Sequence, residues 1–260
     1  ADNGVDTVMR ERVRQQLNEI EQRFNVTVLY ACESGSRGWG FASPDSDYDV
    51  RFIYVHSPDW YLQIEPPRDV IELPIDAELD VCGWELRKTL GLLKRANPTL
   101  TEWLDSPIVY QQDNATLSTL RALAADRFSD VRARYHYLSM AKKNFRSYLQ
   151  GERVRLKKYL YVLRPLLAVR WIEAGKGAPP MRFAALLAGT VSDAALLAEI
   201  ERLLALKQRS SEAEYGAPLP LIDAFIRHEL AETRSRSPLP DGIAHDDAPL
   251  NQLLLRTVLA

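Results

Sequence analysis

At 260 residues the chain is long enough to bury one large core or two domains of ordinary size. Its 46% hydrophobic and 26% charged residues are those of a globular protein, and a net charge of -2 with pI near 6.2 excludes a nucleic-acid binder by bulk charge, so any basic surface has to be local. There is no run of about 18 apolar residues to span a membrane, and the opening ADNGVDTVMRERV has no apolar signal core. The two cysteines, Cys32 and Cys82, lack zinc-site spacing; buried, reduced thiols and a cytoplasmic location are expected.

Val5, Val8, Met9, Val13, Leu17 and Ile20 recur three and four apart, which predicts an amphipathic helix over residues 5 to 23. The β-branched run VTVLYACES follows as a buried strand, and YDVRFIYV then places Val50, Phe52 and Tyr54 on one face of a second strand. DVIELPIDAELDVCGWEL predicts two short strands around a turn at Pro74 to Ala77, the second carrying Leu79, Asp80 and Val81. Residues 85 to 95 have a helical pattern, NPTLTEWL opens a short helix with Pro98 in its first turn, and PIVYQQ is a late strand. Strands and helices thus alternate to about residue 112, which predicts an α/β or α+β domain built on a small mixed sheet.

Beyond that point almost everything is helix-compatible: residues 115 to 174, then FAALLAG, SDAALLAEIERLLALKQRS, PLIDAFIRHELAETRSR and NQLLLRTVL. GKGAPPM is a loop, Ser192–Asp193 supplies a helix N-cap, and the Ser/Pro/Asp-rich stretch 235 to 248 is a connection. Pro165 interrupts a helical pattern and predicts either a kink at Arg164 or a helix start. Two domains are expected, residues 1–112 and an all-helical 113–260.

Charge is concentrated in the second half, with twelve Lys or Arg against three Asp or Glu between Asp126 and Trp171. Such runs are usually solvated helix faces. Here Tyr135, Tyr137, Phe145, Tyr148, Tyr159, Tyr161 and Trp171 are interleaved with the cations, and Lys157, Tyr161, Arg164, Ala168 and Trp171 share one helical stripe, a composition suited to a phosphate and a stacked base. His56, His136, His228 and His245 have no metal-ligand spacing.

The stretch GSRGWGFASPDSDYDV, residues 35 to 50, is far longer than a hairpin requires. Asp47 and Asp49 stand two apart at the entrance of a strand, so both carboxylates point to one side of the sheet and repel each other unless a cation intervenes. Magnesium suits such hard oxygen ligands, manganese equally. Asp80, flanked by apolar residues, is the candidate third carboxylate, with Asp76 and Glu78 as near alternatives. Gly35 and Ser36, following a strand, supply a close backbone approach and a hydroxyl donor for a phosphate, and Arg37 adds charge. Gly-Ser alone is a common turn and a lone Asp-x-Asp a common cap; their joint occurrence with a later Leu-Asp-Val strand is far more specific. Trp39 either anchors this loop or stacks on a base.

The combination of Gly35-Ser36, Asp47-Tyr48-Asp49 and a later apolar-Asp-apolar strand resembles the polymerase β-like nucleotidyltransferases. More closely, GSRGWGFASPDSDYDVRFIYV, NPTLTEWLDSPIVY and KKYLYVLRPLLAVRWIE are similar to the predicted nucleotidyltransferases found beside bacterial RNA-repair ligases, the RNA ligase-associated or YcgL-type group, over about residues 27 to 183. The resemblance implies that Asp47 and Asp49 bind two Mg²⁺ or Mn²⁺ ions, and that Asp80 binds one of them and assists deprotonation of the attacking hydroxyl. Gly35, Ser36 and Arg37 would hold the phosphates of a nucleoside triphosphate such as ATP, while Lys157, Lys158, Tyr161 and Arg164 face the cleft of a helical domain closing over the nucleotide. The implied reaction moves a nucleotide monophosphate to an acceptor hydroxyl, foremost an RNA or DNA 3′ end, with RNA-repair ligases as partners. The other readings are nucleotidylation of a small molecule or protein hydroxyl, and a non-catalytic RNA- or nucleotide-binding module.

Overall fold

The computed structural model describes residues 5–211, 214–232, 238–240 and 242–260; part of the predicted connection 235 to 248 lies outside them. Contacts divide the chain into two compact units. One comprises the chain to Gly38, Asp47–Arg127 and Ala244–Ala260; the other comprises Trp39–Ser46 and Phe128–Ile243. This division differs from one at residue 112, because a helical pattern does not say which sheet or bundle the helix will cover.

The first unit is built on a five-stranded sheet in the order β3-β4-β2-β1-β5, made of β1 (Val26–Glu33), β2 (Tyr48–His56), β3 (Val70–Glu72), β4 (Leu79–Glu85) and β5 (Val109–Gln112). Only the β2–β4 pair is parallel; the other three pairings are antiparallel. Helix α1 (Thr7–Phe24) begins where Asp6 Oδ1 accepts the Met9 N–H at 2.7 Å and ends at Asn25 in the left-handed region. Of its predicted stripe, Val5, Met9, Val13, Leu17 and Ile20 pack with Val28, Val50, Phe52, Tyr54 and Val81, whereas Val8 points away from this core and is 78% exposed. Leu29, Tyr30, Ile53 and Val55 instead pack with α3 (Leu86–Lys94), α4 (Pro98–Leu104), α5 (Asn114–Arg127) and α11 (Ala248–Val258). Because strand side chains alternate, β2 buries Val50, Phe52 and Tyr54 on one face and Ile53 and Val55 on the other. β4 runs into α3 without a loop, since the Glu85 carboxylate caps the helix by accepting the N–H groups of Arg87 and Lys88.

Between β1 and β2 lies the short α2 (Gly35–Trp39), and a 3₁₀ turn, Pro58–Leu62, follows β2. Cys32 is buried and Cys82 half-buried, both as free thiols.

In the second unit, α7 (Lys158–Glu173) is apolar around almost its whole circumference and lies at the centre. Around it stand α6 (Asp130–Tyr148), α8 (Phe183–Ala188), α9 (Ala194–Arg209) and α10 (Pro220–Glu232), with a small antiparallel pair, β6 (Val154–Arg155) and β7 (Tyr215–Gly216), at the side. Leu160, Leu163, Leu167, Phe183, Leu186, Ile200, Leu203, Ile222 and Ile226 form the core, into which Phe41 of the 39–46 segment is inserted. Asp193 caps α9 by accepting the Leu196 N–H. Pro165 is not a helix start: α7 runs through it. A proline there leaves the carbonyl of Tyr161, four residues earlier, without its helical donor. The Asn144 amide of α6 takes that place, donating to Tyr161 O at 3.0 Å. The β6 strand, inside a stretch predicted as helix, is the one element whose type differs there.

Candidate active site

Asp49 and Asp80 come together because β2 and β4 pair in parallel with these two residues opposite each other. The valines that follow each of them are turned into the α1 core, which leaves Asp49, Arg51 and Asp80 on the other face of the strands. Arg51 is anchored from behind: Nη1 donates to Val50 O at 3.0 Å and to Asp80 O at 2.9 Å. Its Nη2 lies 3.3 Å from Asp80 Oδ2 and 3.6 Å from Asp49 Oδ1. One guanidinium therefore sets the spacing of both carboxylates.

The Asp49 backbone is clamped by the end of β1. Its N–H donates to Glu33 Oε2 at 2.7 Å and its carbonyl accepts the Ser34 N–H at 2.8 Å. Glu33 is itself wholly buried, and its other oxygen accepts the Tyr110 hydroxyl at 2.6 Å. Burial pushes the Glu33 carboxyl up to about 7; the hydrogen bonds from Tyr110 and Asp49 oppose this and the Asp49 charge adds to it. The Asp49 carboxyl is raised to about 6, first by burial, with Arg51 pulling it down and Asp80 and Asp47 pushing it up.

Gly35 is what lets the Asp49 carboxylate occupy its place. It has φ +58, and a Cβ there would lie 2.0 Å from Asp49 Oδ2. The Ser36 side chain is buried next to it, and the Arg37 guanidinium stacks 3.9 Å from the centre of the Tyr48 ring. Asp47 precedes β2 and is exposed. Of the alternatives to Asp80, Asp76 sits in the turn, bridged to Leu79, and Glu78 is exposed with Arg12 at 3.5 Å. Only Asp80 is in register with Asp49.

The other candidates lie in the second unit. Lys157 is completely buried; its ammonium donates to Ser43 Oγ at 3.0 Å and to the Ser210 carbonyl, which ties down the 39–46 segment. Lys158 stands over the rings of Tyr148 and Tyr161 at 4.5 and 4.6 Å. Tyr161 meets Trp39 and Phe41 edge-on, and the Arg164 guanidinium lies 4.3 Å from the Trp39 ring. Trp39 thus packs within a cation-aromatic cluster.

Two residues of the first site escaped the sequence analysis, Glu33 and Arg51. Each carried a signal: Glu33 is a charge ending a buried apolar strand, and Arg51 alternates with Asp49 on the same strand face. Among the described residues no group of three or more His, Cys, Asp or Glu side chains is gathered around one point to hold a metal ion. What is present is the Asp49–Asp80 pair, with Asp47 felt by Asp49 electrostatically. The chemistry of that donor set nonetheless fits a hard divalent cation, because Asp47, Asp49 and Asp80 offer carboxylate oxygens that outnumber the one guanidinium facing the pair, Arg51.

A small mixed sheet that carries paired aspartates on adjacent strands beside a glycine turn, followed by a helical unit, is the architecture of a polymerase β-like nucleotidyltransferase. Over residues 9–256 the sequence matches the RlaP family, described as the RNA repair pathway DNA polymerase beta family, and the chain belongs to it. A protein of Bacillus subtilis strain 168 called "Uncharacterized protein YcgL" is 47% identical over 251 residues, covering 96% of each chain. The crystal structure of a nucleotidyltransferase-like protein from Exiguobacterium sibiricum 255-15 aligns over 96% of this chain and 89% of its own, with a TM-score of 0.35 and 13% identity. No helix among the described residues is long and apolar enough to cross a membrane.

Proposed function

We propose that the protein transfers a nucleotide monophosphate from a nucleoside triphosphate to the 3′ hydroxyl of RNA, releasing pyrophosphate. The observation that carries this reading is the register of Asp49 and Asp80 on parallel strands, with Gly35 leaving room for the Asp49 carboxylate. Asp47, Asp49 and Asp80 would hold Mg²⁺ or Mn²⁺. When bound, such ions supply Lewis-acid stabilisation of the entering and leaving oxygens of an in-line displacement.

The chain's own groups do the rest. Gly35 and Ser36 receive the β and γ phosphates and Arg37 adds positive charge beside them. The Asp80 carboxylate takes the proton of the attacking hydroxyl as its oxygen bonds to the α-phosphorus and the bond to the β-phosphate oxygen breaks. Glu33 and Arg51 position Asp49 and Asp80 and touch neither nucleotide nor acceptor. In the second unit, Lys158, Tyr161 and Arg164 are proposed as nucleotide-binding residues, and Lys157 as the anchor of the Ser43 segment. Two unpaired thiols suit the cytoplasm, and RNA-repair ligases are the proposed partners.

The test is incubation with each α-labelled nucleoside triphosphate, Mg²⁺ or Mn²⁺, and a single-stranded RNA with a free 3′ hydroxyl, beside Asp49→Asn. Stepwise lengthening that the variant abolishes is expected. Label appearing instead on the protein or on a small molecule would refute the RNA acceptor and move the assignment to another hydroxyl.

A further inference from the structure

The chain is slightly acidic as a whole, yet one surface of its second unit is not. Between residues 129 and 158 the exposed charged side chains are Arg132, Lys142, Lys143, Arg146, Arg153 and Arg155, against the single acid Glu152. On α6, residues 132, 135, 142, 143 and 146 fall within an arc of about 100° at 100° per residue, opposite the buried Ala133, Tyr137 and Ala141. The arc runs about 21 Å along the helix, at 1.5 Å per residue. That is the length of about six stacked nucleotides at 3.4 Å each.

Aromatic rings accompany the cations on this surface. Tyr135 is 76% exposed within the arc, and Tyr215 is 51% exposed beside Arg155, whose Nε donates to its hydroxyl at 3.2 Å. A surface depression of about 270 Å³ is lined by Lys142, Phe145, Arg146 and Leu230, an aromatic wall between two cations. Cations at helical spacing with exposed rings between them match a polyanion that also presents flat faces, and in a duplex those faces are stacked away.

We propose that the α6 surface marked by Tyr135, Lys142, Lys143 and Arg146 is the docking track for a single-stranded RNA. This identification rests on RNA being the acceptor, and it adds where the strand is held.

The test is fluorescence anisotropy of a labelled 20-nucleotide single-stranded RNA, without nucleotide or metal, at several salt concentrations. Lys142→Gln/Lys143→Gln/Arg146→Gln is expected to weaken binding and to flatten the slope of log K against log salt by about 2, at ~0.7 per lost contact. Tyr135→Ala is expected to weaken binding about fivefold or more with the slope unchanged, since stacking releases no counterions. Circular dichroism of both variants should match the parent. If the parent lengthens RNA and these variants bind it unchanged, the track is wrong and the activity stands. If the parent binds RNA through this surface but transfers no nucleotide, the track stands and the activity falls. Equal affinity for a polyglutamate chain, or for the same sequence as a duplex, would overturn the assignment to single-stranded RNA.

Discussion

Gly35→Ala tests the geometry of the site most directly. The substitution meets two separate obstacles. An L residue at φ +58 costs about 1–2 kcal/mol of backbone strain. Independently, its Cβ would stand 2.0 Å from Asp49 Oδ2, so either α2 or the carboxylate has to move by more than 1 Å to restore contact distance. Asp49 is held by Glu33 and Ser34 through its backbone and faces Arg51, so displacing its carboxylate breaks that ion pair as well. We expect a loss of about 2–4 kcal/mol in stability, a fall of roughly 4–16 °C in Tm for a chain of this size. A 1 Å misplacement of a reacting group costs on the order of 100-fold in rate, and nucleotide transfer should fall by at least that much. The matched control is Gly40→Ala, at φ +91 with nothing within 4 Å of the added methyl, which carries the backbone strain alone. Tm by scanning fluorimetry, Mn²⁺ affinity by electron paramagnetic resonance and transfer rate should therefore separate the two variants. Equal effects would show that contact with Asp49 is not what Gly35 provides.

Arg51→Met removes the donors to Val50 O and Asp80 O and the counter-ion of two carboxylates. The Asp49 carboxyl, already raised from 3.8 to about 6, costs stability as pH rises through that window, so the variant's Tm deficit should be larger at pH 7.5 than at pH 4, and Mn²⁺ should narrow it; a deficit independent of pH would contradict the counter-ion role. Asn144→Leu leaves the Tyr161 carbonyl without its donor and should cost about 1–3 kcal/mol, much less in a Pro165→Ala background where a backbone N–H is restored, as chemical denaturation of the double-mutant cycle will read out. His56 is held down to about 4 by burial and lies parallel to the Trp60 ring at 4.1 Å. Its folded pKa is below the ordinary 6.5, so stability present above pH 6.5 is lost as pH falls toward 4; for a half-buried ring this amounts to about 1–2 kcal/mol, and His56→Phe should flatten the Tm–pH curve over that interval.

Much of the molecule was legible in the order of residues alone. The α1 stripe, the alternation along β2, the turn between β3 and β4, and the cap Asp193 are local patterns, written within a few residues of where they act. The same holds for Gly35, Asp49 and Asp80 as candidates, since their residue types and spacing carry the chemistry. What the sequence could not determine depends on which distant segments meet. The parallel register that sets Asp80 beside Asp49, the Arg51 guanidinium between them and the Glu33 clamp are products of strand pairing across sixteen to thirty-one positions. Likewise Asn144 replacing the donor lost at Pro165, the burial of Lys157 against Ser43 and Ser210, and the allocation of α5 and α11 to the sheet arise only on packing. Local propensity and periodicity act along the chain and say which residues are to be buried, whereas partner choice is settled by the global burial of apolar faces and satisfaction of polar groups, and those exist only once the chain has folded.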